Sequence, residues 1–267
     1  MDNDQLDRPD EEHFYPESEL PIFEKIWGKG FVSPGGPQEL AIIVQDLDIE
    51  KRRILDIGCG MGGLDILLVK EYGAAEVVGI DVENPVLEKA KQYASEENLS
   101  DKLTFTLVDP GPLKFEDASF DIVFSKDALL HISDKQMLFS EIHRVLKQGG
   151  MFVAGDWLRG EYENPSKHME LFTELTYNEF DMVTLHEYET KLRNAGFFDV
   201  TLRDRNEWYL SQAQQELKLI KSLKDEIIDA VGIDSYNNAW ESFWSVLVET
   251  LKTGEFRPAH IRAQKIT

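Results

Sequence analysis

The chain has 267 residues and a formal net charge of −22, which fits one domain whose surface repels the phosphate backbone of nucleic acids and anionic membranes. Its one cysteine, Cys59, excludes an internal disulfide and predicts a cytoplasmic location, because the cytoplasm is reducing. No apolar run is long enough to predict a membrane span. We therefore expect an acidic, cytoplasmic protein that binds a small molecule rather than nucleic acid or a membrane.

Strand-like and helix-like segments alternate along the first part of the chain. Residues 1–22 begin with an acidic stretch that has no apolar core, so we expect a mobile arm that acts as a lid, not a signal peptide. Dense apolar runs predict strands at 52–57, 75–81, 102–109, 119–125 and 151–157. Helical periodicity predicts helices at 37–47, 64–73, 84–98 and 134–150. This alternation predicts a parallel sheet with right-handed crossovers.

The pattern changes after residue 157. Helical spacing occupies 160–195 and 209–252, and strand character occupies 197–205 and 257–266. The C-terminal part therefore adds two strands, for seven in all, together with helices that could cover the sheet. We expect one α/β domain at 23–267, with a helical cap inserted after the fifth strand at 158–196 and additional helices at 209–252.

A glycine-rich motif, DIGCGMGG, lies between the first predicted strand and the helix that follows it. Glycines let the backbone approach a ligand closely, and the start of a helix presents free N–H groups. Ligands bind beyond the carboxyl ends of the strands in an open parallel sheet. Polar or glycine residues occupy these ends, namely Asp56, Gly58, Asp81, Asp109, Ser125 and Asp156. The pattern predicts a nucleoside-cofactor site, with the Asp81 carboxylate on the ribose hydroxyls.

The glycine motif, followed by acidic residues that end the second and third strands, resembles class I S-adenosylmethionine-dependent methyltransferases. The resemblance implies a Rossmann-like seven-stranded sheet with helices on both faces and S-adenosyl-L-methionine as cofactor. It implies that the first acidic residue orders the loop, the second binds ribose and the third lies near adenine. The cofactor-binding residues predicted on this basis are Val32, Ser33, Asp56, Gly58, Gly60, Asp81, Val82, Asp109, Pro110 and Ser125. A dinucleotide-dependent dehydrogenase is the alternative, although its third glycine falls at a different spacing.

Four stretches together resemble the phosphoethanolamine N-methyltransferase family. They are FEKIWGKGFVSPGGPQEL, DIGCGMGGLDILL, VVGIDV and FDIVFSKDALLHISDK. The resemblance implies catalytic roles for three residues. Tyr15 on the N-terminal arm pairs with His131 across the active site, and Asp127 contacts the amine. It also implies that Val32 and Ser33 close over cofactor and substrate.

The positions that hold phosphate in that family carry different residues here. The family's cation and hydroxyl groups fall on uncharged or aromatic residues, so a phosphate would lose its charge-assisted hydrogen bonds. We therefore expect a non-phosphorylated acceptor. The predicted substrate-binding residues are Phe14, Lys126, Trp157, Asn178, Phe180 and Phe243. Trp240 and Trp244, which are spaced as on one helix face, are expected to be core residues.

The sequence thus predicts a methyltransferase that acts on a small molecule, most simply on an amine nitrogen. Methylation of a small thiol or thioether is the enzymatic alternative, and a catalytically silent cofactor-binding regulator is an alternative of another class. The histidines show no paired ligand spacing, so no metal site is expected. The sequence gives no indication of the oligomeric state.

Overall fold

A computed structural model describes residues 15–176 and 180–266. Its centre is a seven-stranded sheet in the order β3-β2-β1-β4-β5-β7-β6. The strands are β1 (Arg53–Ile57), β2 (Glu76–Asp81), β3 (Leu103–Leu107), β4 (Phe120–Lys126), β5 (Leu146–Asp156), β6 (Phe198–Asp204) and β7 (Ala259–Gln264). The first five strands pair in parallel, and β7 is antiparallel to both β5 and β6. The predicted α/β class and strand count are confirmed, but the sheet is mixed because the last strand enters in reverse.

Helices cover both faces of this sheet. They are α1 (Leu20–Trp27), α2 (Gly36–Ile43), α3 (Gly63–Lys70), α4 (Asn84–Glu96), α5 (Lys135–Val145), α6 (Lys167–Leu175), α7 (Leu185–Asn194), α8 (Asn206–Ser222), α9 (Lys224–Val231), α10 (Ile233–Ser235) and α11 (Phe243–Thr253). A π-helical segment, Tyr236–Ser242, joins the last two. Among the described residues, no helix combines the length and the hydropathy that a membrane crossing requires.

The helix predicted at 134–150 is too long. It ends at Val145, and Leu146 already belongs to β5, where it pairs with Phe120. The Lys265 ammonium fixes this end, because it donates hydrogen bonds of 2.7 Å to the carbonyls of His143 and Leu146. Contacts from β4 and from Lys265, which lies just after β7, therefore end the helix at Val145 although the local periodicity continues.

Two apolar clusters, one on each face of the sheet, form the main core. Phe120, Phe139 and Phe152 are fully buried in one, and Leu40 and Ile54 in the other. Further clusters join the C-terminal helices to α1. Leu20 and Ile22, which the predicted boundary assigns to the arm, are buried in one of these with Trp240. The strand order places the topological switch between β1 and β4, so a crevice is expected at their carboxyl ends.

Candidate active site

The glycine loop after β1 has a backbone conformation that its glycines make possible. Gly58 has a φ of 76°, and its N–H donates to the Ile80 carbonyl at 2.8 Å. A Cβ placed on Gly58 would lie 2.2 Å from the Cβ of Ala128. Gly62, with a φ of 75°, leads into α3. The loop therefore lies tightly between β2 and the segment after β4, a packing that a side chain on Gly58 would prevent.

The Asp81 carboxylate at the tip of β2 holds this loop. Its Oδ2 accepts the N–H of Gly60 at 2.9 Å, and its Oδ1 accepts the N–H of Glu83 at 3.0 Å. Burial raises the pKa of Asp81, and these backbone donors oppose the rise. The adjacent Val82 is 53% exposed, an uncovered apolar surface beside a carboxylate.

Other predicted cofactor residues differ in their placement. The Asp109 side chain is 89% exposed and pairs with Lys114 at 3.4 Å, and Pro110 is exposed beside it. Ser125 is fully buried and donates to the Ile57 carbonyl at 2.6 Å, so its hydroxyl joins β4 to β1. Asp109 and Pro110 thus border the open side of the crevice, whereas Ser125 has a structural hydrogen bond.

A second buried carboxylate lies beside Asp56, and sequence reasoning missed it. Asp56 is 2% exposed and Asp65 is fully buried in the first turn of α3. Within the described part of the chain, Asp56 Oδ1 and both Asp65 oxygens lack a hydrogen-bond partner. Burial and the neighbouring carboxylates raise the pKa of Asp56, and burial raises the pKa of Asp65 to about 7. The two carboxyl groups are thus buried together beneath the glycine loop, where their shared burial and mutual repulsion favour a protonated form.

Residues 28–33 lie across the glycine loop. The N–H of Gly63 donates to the Gly30 carbonyl at 3.0 Å, and a Cβ on Gly63 would lie 2.5 Å from that oxygen. A Cβ on Gly60 would meet Val32 Cγ2 at 2.8 Å. Val32 and Ser33 also line the neighbouring cavity. They therefore lie between the loop and that cavity, where a residue that closes over both ligands is expected.

A cavity of about 340 Å³ lies between the sheet and the C-terminal helices. All three predicted catalytic residues, Tyr15, Asp127 and His131, line it. Its aromatic lining consists of Phe23, Trp27, Trp157, Phe180, Tyr209, Trp240, Phe243 and Trp244, and its acidic lining of Glu19, Asp127 and Glu216. No lysine or arginine of residues 15–176 and 180–266 belongs to this lining.

Asp127 has an unusual backbone conformation and two side-chain partners. Its φ is 53°, in the left-handed region, which aspartate adopts more readily than most other non-glycine residues. Its Oδ1 accepts the Tyr209 hydroxyl at 2.8 Å, and its Oδ2 accepts the Lys126 ammonium at 2.5 Å. Lys126 also donates to Ser33 Oγ at 2.9 Å. The carboxylate is thus fixed in orientation. Tyr209 is a further residue of the candidate site that no sequence motif indicated.

His131 ends a short 3₁₀ turn that Asp156 anchors, because the N–H of Leu130 donates to Asp156 Oδ1 at 3.1 Å. The His131 ring meets Phe180 edge to face, with a centroid distance of 5.1 Å. The surrounding protein, together with the charge of Lys135, lowers the pKa of His131 below its ordinary value. The His131 side chain is nevertheless exposed towards the cavity, so solvent there reduces this lowering. The imidazole is therefore neutral at physiological pH.

Tyr15 packs edge to face on Phe23 at 5.6 Å. Burial and the charges of Asp81, Asp127 and Glu83 raise the pKa of its phenol, which therefore stays protonated. Tyr15 lines the same cavity as Asp127. Its predicted pairing with His131 stays a prediction, although both residues line the same cavity.

The predicted substrate residues divide into three groups. Trp157, Phe180 and Phe243 line the cavity, as do Trp240 and Trp244, for which a core position was expected. The Lys126 ammonium is engaged by Asp127 and Ser33. Phe14 and Asn178 lie outside the described residues. Trp240 and Trp244 are buried as well as cavity-lining, since they are 2% and 6% exposed.

Comparison with known proteins agrees with this geometry. Residues 49–216 match the family model described as a methyltransferase domain. Phosphoethanolamine N-methyltransferase of Triticum aestivum is 31% identical over 245 residues, which are 91% of this chain and 47% of that protein. Sterol 24-C-methyltransferase erg6 of Aspergillus fumigatus is 36% identical over 191 residues, or 66% of this chain and 50% of that protein. The chain thus spans about half the length of these curated relatives.

Solved structures show the same fold. Phosphoethanolamine N-methyltransferase 2 of Haemonchus contortus, in complex with phosphomonomethylethanolamine and S-adenosylhomocysteine, superposes with a TM-score of 0.85 at 25% identity. The match covers 95% of this chain and 59% of that one. A putative sarcosine dimethylglycine methyltransferase from Galdieria sulphuraria has a TM-score of 0.83 at 18% identity and covers 93% and 97% of the two chains. The predicted resemblance is confirmed, and the chain belongs to the methyltransferase domain family.

Proposed function

We propose that this protein transfers the methyl group of S-adenosyl-L-methionine to an amine nitrogen of a small, non-phosphorylated acceptor. One observation supports the acceptor class above all. The cavity that contains Tyr15, Asp127 and His131 has aromatic and acidic walls, and no lysine or arginine of the described residues belongs to its lining. Such a surface suits an amine or ammonium group and disfavours an anion.

The residues at the switch point fit this cofactor. The Asp81 carboxylate at the end of β2, whose oxygens keep further lone pairs, supports binding of ribose hydroxyls. The exposed Val82 beside it supports contact with an adenine ring. When bound, the cofactor supplies an electrophilic methyl group on a sulfonium. The chain's own residues then position the nucleophile and exclude water.

A phosphorylated acceptor would be poorly held in this cavity. Lys126 is the cation nearest to Asp127, and its ammonium already serves Asp127 and Ser33. A phosphate would therefore lack charge-assisted hydrogen bonds, each of which contributes about 1.5–3 kcal/mol. It would also approach the carboxylates of Asp127 and Glu216, which repel it.

The attacking amine needs a free lone pair. Because the pKa of His131 is lowered, its imidazole is neutral and accepts a hydrogen bond from the amine rather than holding its proton. Asp127 retains free lone pairs on its fixed oxygens and can receive a second N–H or the proton that leaves. We assign His131 and Asp127 to orientation of the nitrogen and Tyr15 to closure of the site.

The test is release of S-adenosylhomocysteine from S-adenosyl-L-methionine with a panel of amines, amino acids, thiols and phosphobases. We expect turnover with one or more unphosphorylated amines and at most trace turnover with their phosphate esters. Turnover confined to the phosphobases would contradict the acceptor class. Tight cofactor binding without turnover on any acceptor would favour a silent, regulatory protein.

Methylation of a thiol or thioether is the second candidate. The aromatic walls of the cavity and its lack of a phosphate-binding cation support it as well. The acidic residues favour the amine, because a neutral thioether gains nothing from a buried carboxylate. Preferential turnover of thiols in the same panel would reverse this choice.

A further inference from the structure

Glu216 is a buried carboxylate on the wall of the acceptor cavity that the proposed mechanism does not use. It lies on α8 and is 7% exposed. Its Oε1 accepts the indole N–H of Trp27 at 2.8 Å, and its Oε2 accepts that of Trp244 at 3.0 Å. Residues from α1, α8 and α11 thus converge on one carboxyl group, and both its oxygens are fixed.

No cation neutralises this carboxylate. In residues 15–176 and 180–266, Glu216 forms no ion pair, and the ammonium of Lys126, which acts on it electrostatically, is bonded to Asp127 and Ser33. Burial without a paired cation is costly and raises the pKa of Glu216, although the two indole donors and the charge of Lys126 oppose the rise. The neutral indole donors hold the carboxyl group in place but do not supply the missing positive charge.

Aromatic rings surround the carboxylate. Phe23 stacks on Trp27 at 5.4 Å and on Trp240 at 5.1 Å. Trp244 stacks on Trp240 at 5.6 Å and lies 6.1 Å from Trp27. All four rings line the cavity. Phe23 and Trp240 are each stacked between two neighbours, so an alkylammonium group would meet the outer faces of Trp27 and Trp244, the two rings that donate to Glu216. Those faces and the carboxylate both favour positive charge.

Glu216 lies away from the reacting end of the cavity. Tyr209, which holds Asp127, and Glu216 are both on the cavity face of α8, two helical turns apart. At 1.5 Å per residue, their Cα atoms are about 10 Å apart. The nitrogen that attacks the methyl group must be uncharged, so a positive charge bound at Glu216 belongs to a different group of the acceptor.

We propose that Glu216 is a specificity-determining residue that binds a second, cationic group of the acceptor against the outer faces of Trp27 and Trp244. This assignment rests on the proposed function, since it assumes that the cavity holds the acceptor. It narrows the substrate class to small amines that carry an additional ammonium or alkylammonium group.

The experiment compares a cation with its neutral isostere. Binding of choline and of 3,3-dimethylbutan-1-ol, which have the same shape, is measured by calorimetry on the full chain saturated with S-adenosylhomocysteine. We expect the wild type to bind choline at least about tenfold more tightly, and E216Q to bind the two within about threefold, because the aromatic contribution remains. The control E207Q removes a charge from the exposed side of α8 and keeps the wild-type preference.

Two results would overturn the assignment. One is an equal affinity of the wild type for both probes, which needs no variant and therefore decides the matter even if E216Q does not fold. The other is a choline preference that survives in a folded E216Q. Binding of these probes requires no turnover, so the experiment tests the cation site at Glu216 independently of the proposed methyl transfer. A Glu216-dependent preference without methyl transfer to any acceptor contradicts the function alone, and methyl transfer without the preference contradicts the cation site alone.

Discussion

The hydroxyl of Tyr209 reaches from α8 to Oδ1 of Asp127 at 2.8 Å and fixes a carboxylate whose backbone has a φ of 53°. A C-terminal helix thereby sets the orientation of a side chain at the tip of β4. Because a hydrogen bond to a charged group contributes about 1.5–3 kcal/mol, loss of this bond has a measurable effect on both orientation and stability.

Tyr209→Phe is therefore expected to lower kcat/KM by about tenfold or more, since about 1.4 kcal/mol corresponds to a factor of ten. The dissociation constant of S-adenosyl-L-methionine should stay within about threefold, because Asp81 and the glycine loop are untouched. Steady-state kinetics and calorimetry measure the two quantities. Tyr72→Phe, at a tyrosine that does not line the cavity, is the matched control. Equal kinetic losses in the two variants would contradict the role of Tyr209.

The pH dependence of turnover should lack a histidine inflection near the ordinary value. The protein environment lowers the pKa of His131 below its ordinary value, so the imidazole of the free protein is neutral above about pH 6.5. We expect kcat/KM to rise with pH through the acceptor's own amine pKa, while His131→Gln lowers its magnitude without removing an inflection. An inflection near pH 6.5 that disappears in His131→Gln would refute this expectation.

Asp65 makes the free protein less stable as the pH rises. Its pKa is raised to about 7 by burial, so between about pH 4 and 7 the folded state holds a proton that the unfolded state has released. The free energy of unfolding therefore falls across this window, by a few kcal/mol at most. Urea unfolding at pH 5 and pH 8 should show a smaller fall in Asp65→Asn. The exposed Asp109→Asn should keep the wild-type fall, and an unchanged pH dependence in Asp65→Asn would count against the shared burial of Asp56 and Asp65.

A buried ion network anchors α2 to the far edge of the sheet. Glu39 is fully buried, accepts Arg205 Nη2 at 2.7 Å and contacts His260 Nε2 at 2.6 Å. Glu39→Gln leaves a guanidinium without its counter-charge and is expected to cost about 3–5 kcal/mol of unfolding free energy. Lys70→Ala, which breaks an exposed pair with Glu97, should cost less than about 1 kcal/mol. Chemical denaturation measures the unfolding free energy of both variants. A similar loss in the two would show that the Glu39 network does not stabilise the fold more than an exposed ion pair.

The contact between residues 28–33 and the glycine loop is expected to control cofactor affinity. A Cβ on Gly63 would lie 2.5 Å from the Gly30 carbonyl, so Gly63→Ala must push the two segments apart. Overpacking of this kind costs about 1–3 kcal/mol, and we expect the dissociation constant for S-adenosylhomocysteine to rise about tenfold. Gly149→Ala strains a backbone with a φ of 78° but places its Cβ more than 4 Å from any atom, so it controls for general destabilisation and should leave that constant unchanged. Equal cofactor affinity in both variants would show that the contact is incidental.

The sequence motifs identified those residues of the candidate site that lie close together in the chain or at the ends of strands. Tyr15, Asp127 and His131 line one cavity, as their resemblance to the family implied. Tyr209 and Glu216 were missed because a helical pattern does not reveal which face turns towards a site formed by remote segments. Asp65 was missed because an acidic residue in the first turn of a helix normally needs no further explanation.

Other differences have equally specific causes. The helix predicted at 134–150 continues a real periodicity, but Leu146 gains more from pairing with Phe120 in the sheet. Trp240 and Trp244 were expected in the core and do pack there, yet they also form the cavity wall, because the cavity is enclosed by the core of the C-terminal helices. Helical spacing identifies a buried face without distinguishing a packed interior from a ligand chamber.

The position of β7 between β5 and β6 affects the order in which the sheet can form during translation. β6 occupies the edge of the sheet and hydrogen-bonds to β7 alone, so it emerges from the ribosome long before the strand it needs. Until residues 259–264 are synthesised, β5 and β6 both expose unpaired edges, which are prone to pair with other nascent chains. A premature stop before residue 259 would therefore leave an incomplete sheet with unpaired edges. Such a truncated chain is expected to aggregate.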